Sequence, residues 1–162
     1  MLVVGAGGLG SPVIAYLAGA GIGTLGILDD DSVSLSNLHR QVAHDTASVG
    51  RLKAASAGRF ASALNPHVDI VLHAERLDAG NVDAIMAPYG LVLDGTDNLA
   101  TRRLVAAAAQ ARGLPLVSGA VSMFDGQETV FAPAARPLPP SIPTTPTMPI
   151  CPPAKPPAYW VR

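Results

Sequence analysis

A single cysteine, Cys151, stands among the 162 residues, so neither an internal disulfide nor a CxxC zinc pair can form. One lone thiol fits a reducing, cytoplasmic setting. Net charge is nearly absent too, at a formal −1. No bulk charge draws the chain to nucleic acid or to an anionic membrane. No apolar run approaches a bilayer span. The start, Met1 to Gly5, lacks a basic segment and runs straight into glycines, so it does not read as a secretory signal. Proline is sparse up to residue 131, and most of the 15 prolines crowd into residues 132–162. Proline lacks an N–H and fixes φ, so this tail continues neither a sheet nor a helix. The expected organisation is one globular domain over 1–131, with enough residues for a sizeable core, and a PPII-like or disordered tail over 132–162.

Within 1–131 short apolar runs alternate with longer helical stretches. Strands are expected at Leu2–Val4, Thr24–Leu28, Val68–His73 and Leu91–Leu93. A fifth starts at Leu116–Val117 and a sixth covers Glu128–Phe131. Helices are expected at Leu9–Ala20, Arg51–Leu64, Asn81–Ala87 and Leu99–Arg112, the last closed by Gly113. Ser32–Ser48 is a polar loop with room for a turn of helix. The alternation implies βαβ units: a Rossmann-like, doubly wound, mostly parallel α/β sheet with helices on both faces. A central strand that begins straight after Met1 points to a truncated domain that lacks an N-terminal segment. Ligands of such sheets bind at the carboxyl ends of the strands, where the glycine loop, Asp29, Asp94 and Asp97 all fall.

Gly5-Ala6-Gly7-Gly8-Leu9-Gly10 fits G-x-G-x-x-G between a strand and a helix. Gly5 permits the tight turn, the middle glycines let phosphate approach the backbone, and Gly10 lets helix and strand pack closely. An acid about 20 residues further on is expected to take ribose hydroxyls, and Asp29 stands there. At this point NAD, FAD and ATP all remain open. The choice rests on Ser36–Gln41, on Lys53 at the start of a helix, and on Thr96-Asp97-Asn98 with Arg102 one turn on. Singly, Asn37 could cap a turn, Arg40 and Lys53 could be solvated, and Asp97 could cap the helix at Leu99. Gathered around one glycine loop, they suit an enzyme that neutralises departing pyrophosphate with Arg40 and Lys53 and holds Mg²⁺ through Asp97.

Gly5–Ser11, Asp29-Asp30-Asp31 with Ser36–Gln41, Asn65-Pro66, Asp94–Asn98 and Gly119-Ala120 with Gly126-Gln127 and Val130-Phe131 resemble, in order and spacing, the ThiF/MoeB/HesA family, which is related to ubiquitin-activating enzymes. The resemblance spans 1–131 almost without gaps, and Ser36–Gln41 with the Thr-Asp-Asn is its most specific part. It implies ATP and Mg²⁺ as cofactors. It places Gly5, Gly7, Gly8, Gly10 and Asn98 at the nucleotide, with Gly8 on the phosphates and Asp29 on the ribose. Asn37, Arg40 and Lys53 would contact the triphosphate, and Asp97 the metal. Arg40, Lys53 and Asp97 carry the catalytic expectation. The implied reaction is adenylation of the C-terminal glycine of a small ubiquitin-like sulfur carrier, as in thiamin or molybdopterin synthesis, by a homodimer.

The chain departs from this pattern in several places. Asp125 stands where the family often has Glu. The family's N-terminal arginine helix, cysteine loop and zinc pair have no counterpart here, and Cys151 is not assigned as the family's cysteine. One explanation of the tail is a shifted reading frame: between Ile150 and Val161 the neighbouring frame permits a string like the family's cysteine loop. Two other functions compete: an inactive truncated paralogue that only binds nucleotide, and an NAD-dependent oxidoreductase. The oxidoreductase lacks a Tyr-x-x-x-Lys constellation and leaves Arg40, Lys53 and Asp97 unexplained. The related tRNA dehydratases share the ATP site but usually carry a basic surface, which this near-neutral chain does not.

Overall fold

The computed structural model describes residues 1–122 and 125–132; the expectations for the tail and for Cys151 lie outside them. Six strands form one sheet in the order β3-β2-β1-β4-β5-β6. They are β1 (Leu2–Val4), β2 (Thr24–Leu28), β3 (Asp69–His73), β4 (Val92–Asp94), β5 (Leu116–Ser122) and β6 (Asp125–Phe131). The helices are α1 (Gly10–Gly19), α2 (Lys53–Leu64), α3 (Val82–Met86) and α4 (Leu99–Arg112). β1 lies at the centre, parallel to β2 through Val3 opposite Ile27 and to β4 through Val3 opposite Leu93. Only β6 runs antiparallel, as a hairpin with β5 from Leu116 opposite Phe131 to Ser122 opposite Asp125. The order reverses beside β1: α1 carries the chain to β2, and the return through α3 delivers β4 to β1's other side. A crevice at the carboxyl ends of β1 and β4 follows from that reversal. The doubly wound, Rossmann-like expectation holds.

Alternation along β1 divides the core. Leu2 and Val4 face Met86, Tyr89, Val105 and Leu116, under α3 and α4. Val3 faces Ile14, Ala18, Ala54 and Ala57, under α1 and α2. Every residue of β1 is buried, as a central parallel strand requires. Pro12 falls in the first turn of α1, where a missing N–H costs no helical bond. α4 has the expected bounds and ends on Gly113 in the left-handed region at φ 63°.

Other bounds shift for visible reasons. α2 starts at Lys53 rather than Arg51 because Leu52 is extended and bridges Ser32. β6 is longer than Glu128–Phe131 because it pairs with β5 along its whole length. The polar loop holds two turns of 3-10 helix, Leu35–Asn37 and Thr46–Ser48.

At Gly10 a Cβ would lie 1.7 Å from the Gly5 carbonyl oxygen, whereas at Gly19 it would meet nothing within 4 Å. Gly10→Ala is therefore expected to cost about 3 kcal/mol or more in urea denaturation, because the clash is with backbone. Gly19→Ala should instead stabilise by up to about 1 kcal/mol.

Candidate functional site

The glycine loop leaves β1 through Gly5, at φ 92°. Both sides of the next residue are pinned. The Ala6 N–H donates to Asp29 Oδ2 at 2.7 Å. The Ala6 carbonyl accepts from Ser11 Oγ at 3.2 Å and from His44 Nε2 at 2.9 Å. The N–H groups of Gly7, Gly8 and Leu9 have no acceptor among the described residues, and all three residues line a cavity of about 730 Å³. Unpaired N–H groups where a helix begins are a receptor for an anion. The fold itself does not require glycine at 7 and 8: a Cβ there would only touch Gln41 and Arg40 side chains, at 3.6 and 3.5 Å. Bare backbone at these positions instead leaves room for a ligand.

Asp29 is 9% exposed and also accepts the Asp31 N–H, at 2.9 Å. Burial pushes its carboxyl pKa up, while the N–H donors from Ala6 and Asp31 and the Lys53 charge pull it down. Each oxygen retains a lone pair for a ligand hydroxyl. Lys53 is buried, with its ammonium 2.7 Å from Asp31 at the cavity wall. It is therefore not one more solvated lysine. Arg40 is exposed over Gly8, its guanidinium donating to Asn37 Oδ1 at 3.2 Å.

The next wall is the loop after β4. Asp94 is 2% exposed, and its Oδ1 accepts from the Thr96 N–H at 3.0 Å and the Thr96 hydroxyl at 2.6 Å. Its Oδ2 accepts from Ser118 Oγ at 2.9 Å. Arg102 reaches back to Ser118 Oγ at 3.3 Å and to the Thr96 carbonyl, so α4 and β5 hold this loop together. Asp97 is exposed at the cavity and has no hydrogen-bond partner among the described residues.

Gly5, Gly7, Gly8, Asp29, Arg40, Lys53, Asp97 and Asn98 thus converge on one cavity. Two expected residues do not line it. Gly10 packs on Gly5 instead, and Asn37 orients Arg40 from behind. Asn98, rather than Asp97, caps α4: its Oδ1 accepts from the N–H groups of Ala100 at 2.8 Å and Thr101 at 3.3 Å. Asn98 sits at the extended residue directly before the helix, whereas Asp97, with a side chain of the same length, is one position too early. Sequence reasoning missed His44, Ser56 and Ser118, and gave Gln41 no role of its own within Ser36–Gln41. Gln41 lines the cavity at 4% exposure, and its Oε1 is buried without a partner among the described residues.

A parallel sheet reversing beside an N–H-rich glycine loop, with cations and a free carboxylate around it, defines a Rossmann-like domain built to receive an anionic ligand. The chain belongs to the ThiF family, whose model matches residues 1–155. It is 52% identical over 131 residues to the probable adenylyltransferase/sulfurtransferase MoeZ of Mycobacterium tuberculosis, covering 81% of this chain and 33% of that one. It is also 52% identical over 130 residues to the adenylyltransferase and sulfurtransferase UBA4 of Meyerozyma guilliermondii, covering 80% and 31%. The chain thus spans about a third of the length of these curated relatives. Among solved structures it is similar to the E. coli tRNA N6-threonylcarbamoyladenosine dehydratase TcdA in complex with AMP. That match has a TM-score of 0.70 and 30% identity, over 74% of this chain and 50% of that one. Among the described residues no helix is long and apolar enough to cross a membrane.

Burial lowers the pKa of His44, where Lys53 acts the same way and the Ala6 carbonyl, Asp29 and Asp45 oppose it; burial also lowers that of His73. Both favour the neutral ring in the folded chain, so the unfolded chain binds more protons once pH falls below the ordinary 6.5. The histidine contribution to stability should be flat above that value and decline below it, towards the folded values. Urea titrations across pH 5 to 8, with His44→Gln and His73→Gln each reducing the slope, check this. Asn98→Ala should separately cost about 1 kcal/mol as a lost cap.

Proposed function

We propose that this chain binds ATP at the glycine loop and adenylates the C-terminal carboxylate of a small ubiquitin-like sulfur carrier. The observation that carries the reading is the set of N–H groups of Gly7, Gly8 and Leu9, unpaired among the described residues, at a cavity shared with Arg40, Lys53 and Asp97. A carboxylate oxygen of the terminal glycine attacks the α-phosphorus, the bond to the β-phosphate oxygen breaks, and pyrophosphate leaves. The attacking group is already anionic, so the step needs no nucleophile or base from the protein. It needs positioning and neutralisation of charge. The loop N–H groups hold phosphate oxygens, Arg40 and Lys53 meet the charge on the departing pyrophosphate, and Asp29 takes ribose hydroxyls.

The donor set also fits Mg²⁺. Asp97 is an exposed carboxylate without a partner among the described residues, whereas Asp29 is occupied by backbone N–H groups and Asp31 by Lys53. Bound there, the ion would supply further neutralisation of the phosphates. The names of MoeZ and UBA4 support the adenylation reading, and AMP in the TcdA structure supports the adenine nucleotide. Exposed Val121, Val130 and Phe131 on the β5–β6 hairpin support a second copy of the chain as a partner.

The test is pyrophosphate exchange with a ubiquitin-like protein ending in Gly-Gly. Label should enter ATP only when the acceptor is present. Asp97→Ala should lower exchange ~100-fold or more with an unchanged thermal midpoint, given what transition-state charge stabilisation supplies. Full exchange by that variant would remove Asp97 from the metal role. No exchange by the native chain with any such acceptor would favour the nucleotide-binding paralogue.

A further inference from the structure

The loop from Ala6 to Gly8 poses a physical difficulty. Glycine at 7 and 8 gives phosphate room, but it also removes the steric bias that sets the orientation of a peptide group. The Ala6–Gly7 peptide could rotate, and its N–H would then leave the cavity. In a trans peptide the carbonyl and the following N–H point in opposite directions. Whatever holds the Ala6 carbonyl on one side therefore aims the Gly7 N–H at the other.

His44 is placed to do this. Its Nε2 lies 2.9 Å from the Ala6 oxygen. A carbonyl cannot donate, so Nε2 carries the hydrogen. Nδ1 lies 3.0 Å from Ser56 Oγ, one turn along α2 from Lys53, and in the neutral ring it accepts that hydroxyl's hydrogen. The His44 N–H donates to the Gln41 carbonyl at 3.0 Å, in the turn that also presents Arg40 and Gln41 to the cavity. At 7% exposure, the ring has little water to compete for these bonds.

We propose that His44 is a positioning residue: its ring fixes the Ala6–Gly7 peptide so that the loop N–H groups face the phosphates, and it ties that loop to the segments carrying Arg40 and Lys53. This rests on the nucleotide reading above. It makes a distinction that a merely structural role would not. His44 should matter for a ligand with phosphates and not for the nucleoside alone.

The experiment is calorimetric binding of MgATP and of adenosine to the native chain and to two variants, with thermal midpoints recorded for each. His44→Asn keeps a polar partner for Ser56 but does not reach Ala6. His44→Gln puts an amide N–H near the Nε2 position. His44→Asn is expected to weaken MgATP about tenfold, as the loss of one well-placed hydrogen bond would, and adenosine by less than about twofold. His44→Gln should recover MgATP binding to within about threefold. Should His44→Asn not fold, Ser56→Ala, which frees the ring at Nδ1, is expected to weaken MgATP by about threefold and leave adenosine alone. Equal loss of both ligands, native MgATP affinity in His44→Asn, or native affinity in a substituting Ser56→Ala overturns the proposal. A native chain that binds no MgATP defeats the nucleotide reading itself, and the inference with it, before any variant is made.

Discussion

The Asp29 carboxylate, at the end of β2, takes the N–H of Ala6, at the end of β1, at 2.7 Å, and the site depends on that bond. It crosses between neighbouring parallel strands at the point where the sheet turns into loops. A hydrogen bond to an ionised group contributes about 1.5–3 kcal/mol, roughly twice a neutral one. Here it offsets part of the cost of burying the carboxylate, and burial still holds the pKa above its ordinary value. Once the Ala6 N–H is committed to Asp29, its carbonyl turns to Ser11 and His44, and the following N–H groups are left to the cavity. The acid expected to read a ribose is thus also the clamp that shapes the phosphate loop.

A second carboxylate does the same for the opposite wall. Asp94 is buried at the end of β4 and uses both oxygens to gather Thr96 and Ser118, with Arg102 closing the ring of contacts. Asp97 is spared from that work and lines the cavity without a partner among the described residues. The contrast between the two acids, three residues apart, divides scaffolding from ligand-facing chemistry. A similar division separates the two cations: Lys53 is buried and held by Asp31, while Arg40 is exposed and steadied by Asn37.

The sheet, its helices on both faces and the location of the site were legible in the sequence because they follow from local signals. Apolar runs end at Gly5, Asp29 and Asp94, and α4 has its closing glycine in view, although its cap falls at Asn98 rather than at Asp97, where the sequence allowed one. The length of β6 was not legible, since only its pairing with β5 defines it. The place of His44 was hidden for a related reason. Its partner Ala6 lies 38 residues away, and a lone histidine in a polar loop carries no signal of that contact. The family resemblance implied ligand contacts for Asn37 and Asn98; Asn37 orients Arg40 without lining the cavity, whereas Asn98 both lines the cavity and caps α4. Asn, Asp and Ser serve backbone and ligand alike, and only geometry separates the two uses.

The central claim is that phosphate is held by backbone N–H groups at the start of α1. The most direct measurement is a titration of the ¹⁵N-labelled chain with MgATP, followed at each amide. The amides of Gly7, Gly8 and Leu9 should shift most, with smaller movements at Asp29 and Asp97 and saturation at one equivalent. Saturable MgATP binding that leaves those three amides unmoved, or a stronger response to NAD at the same amides, would contradict it.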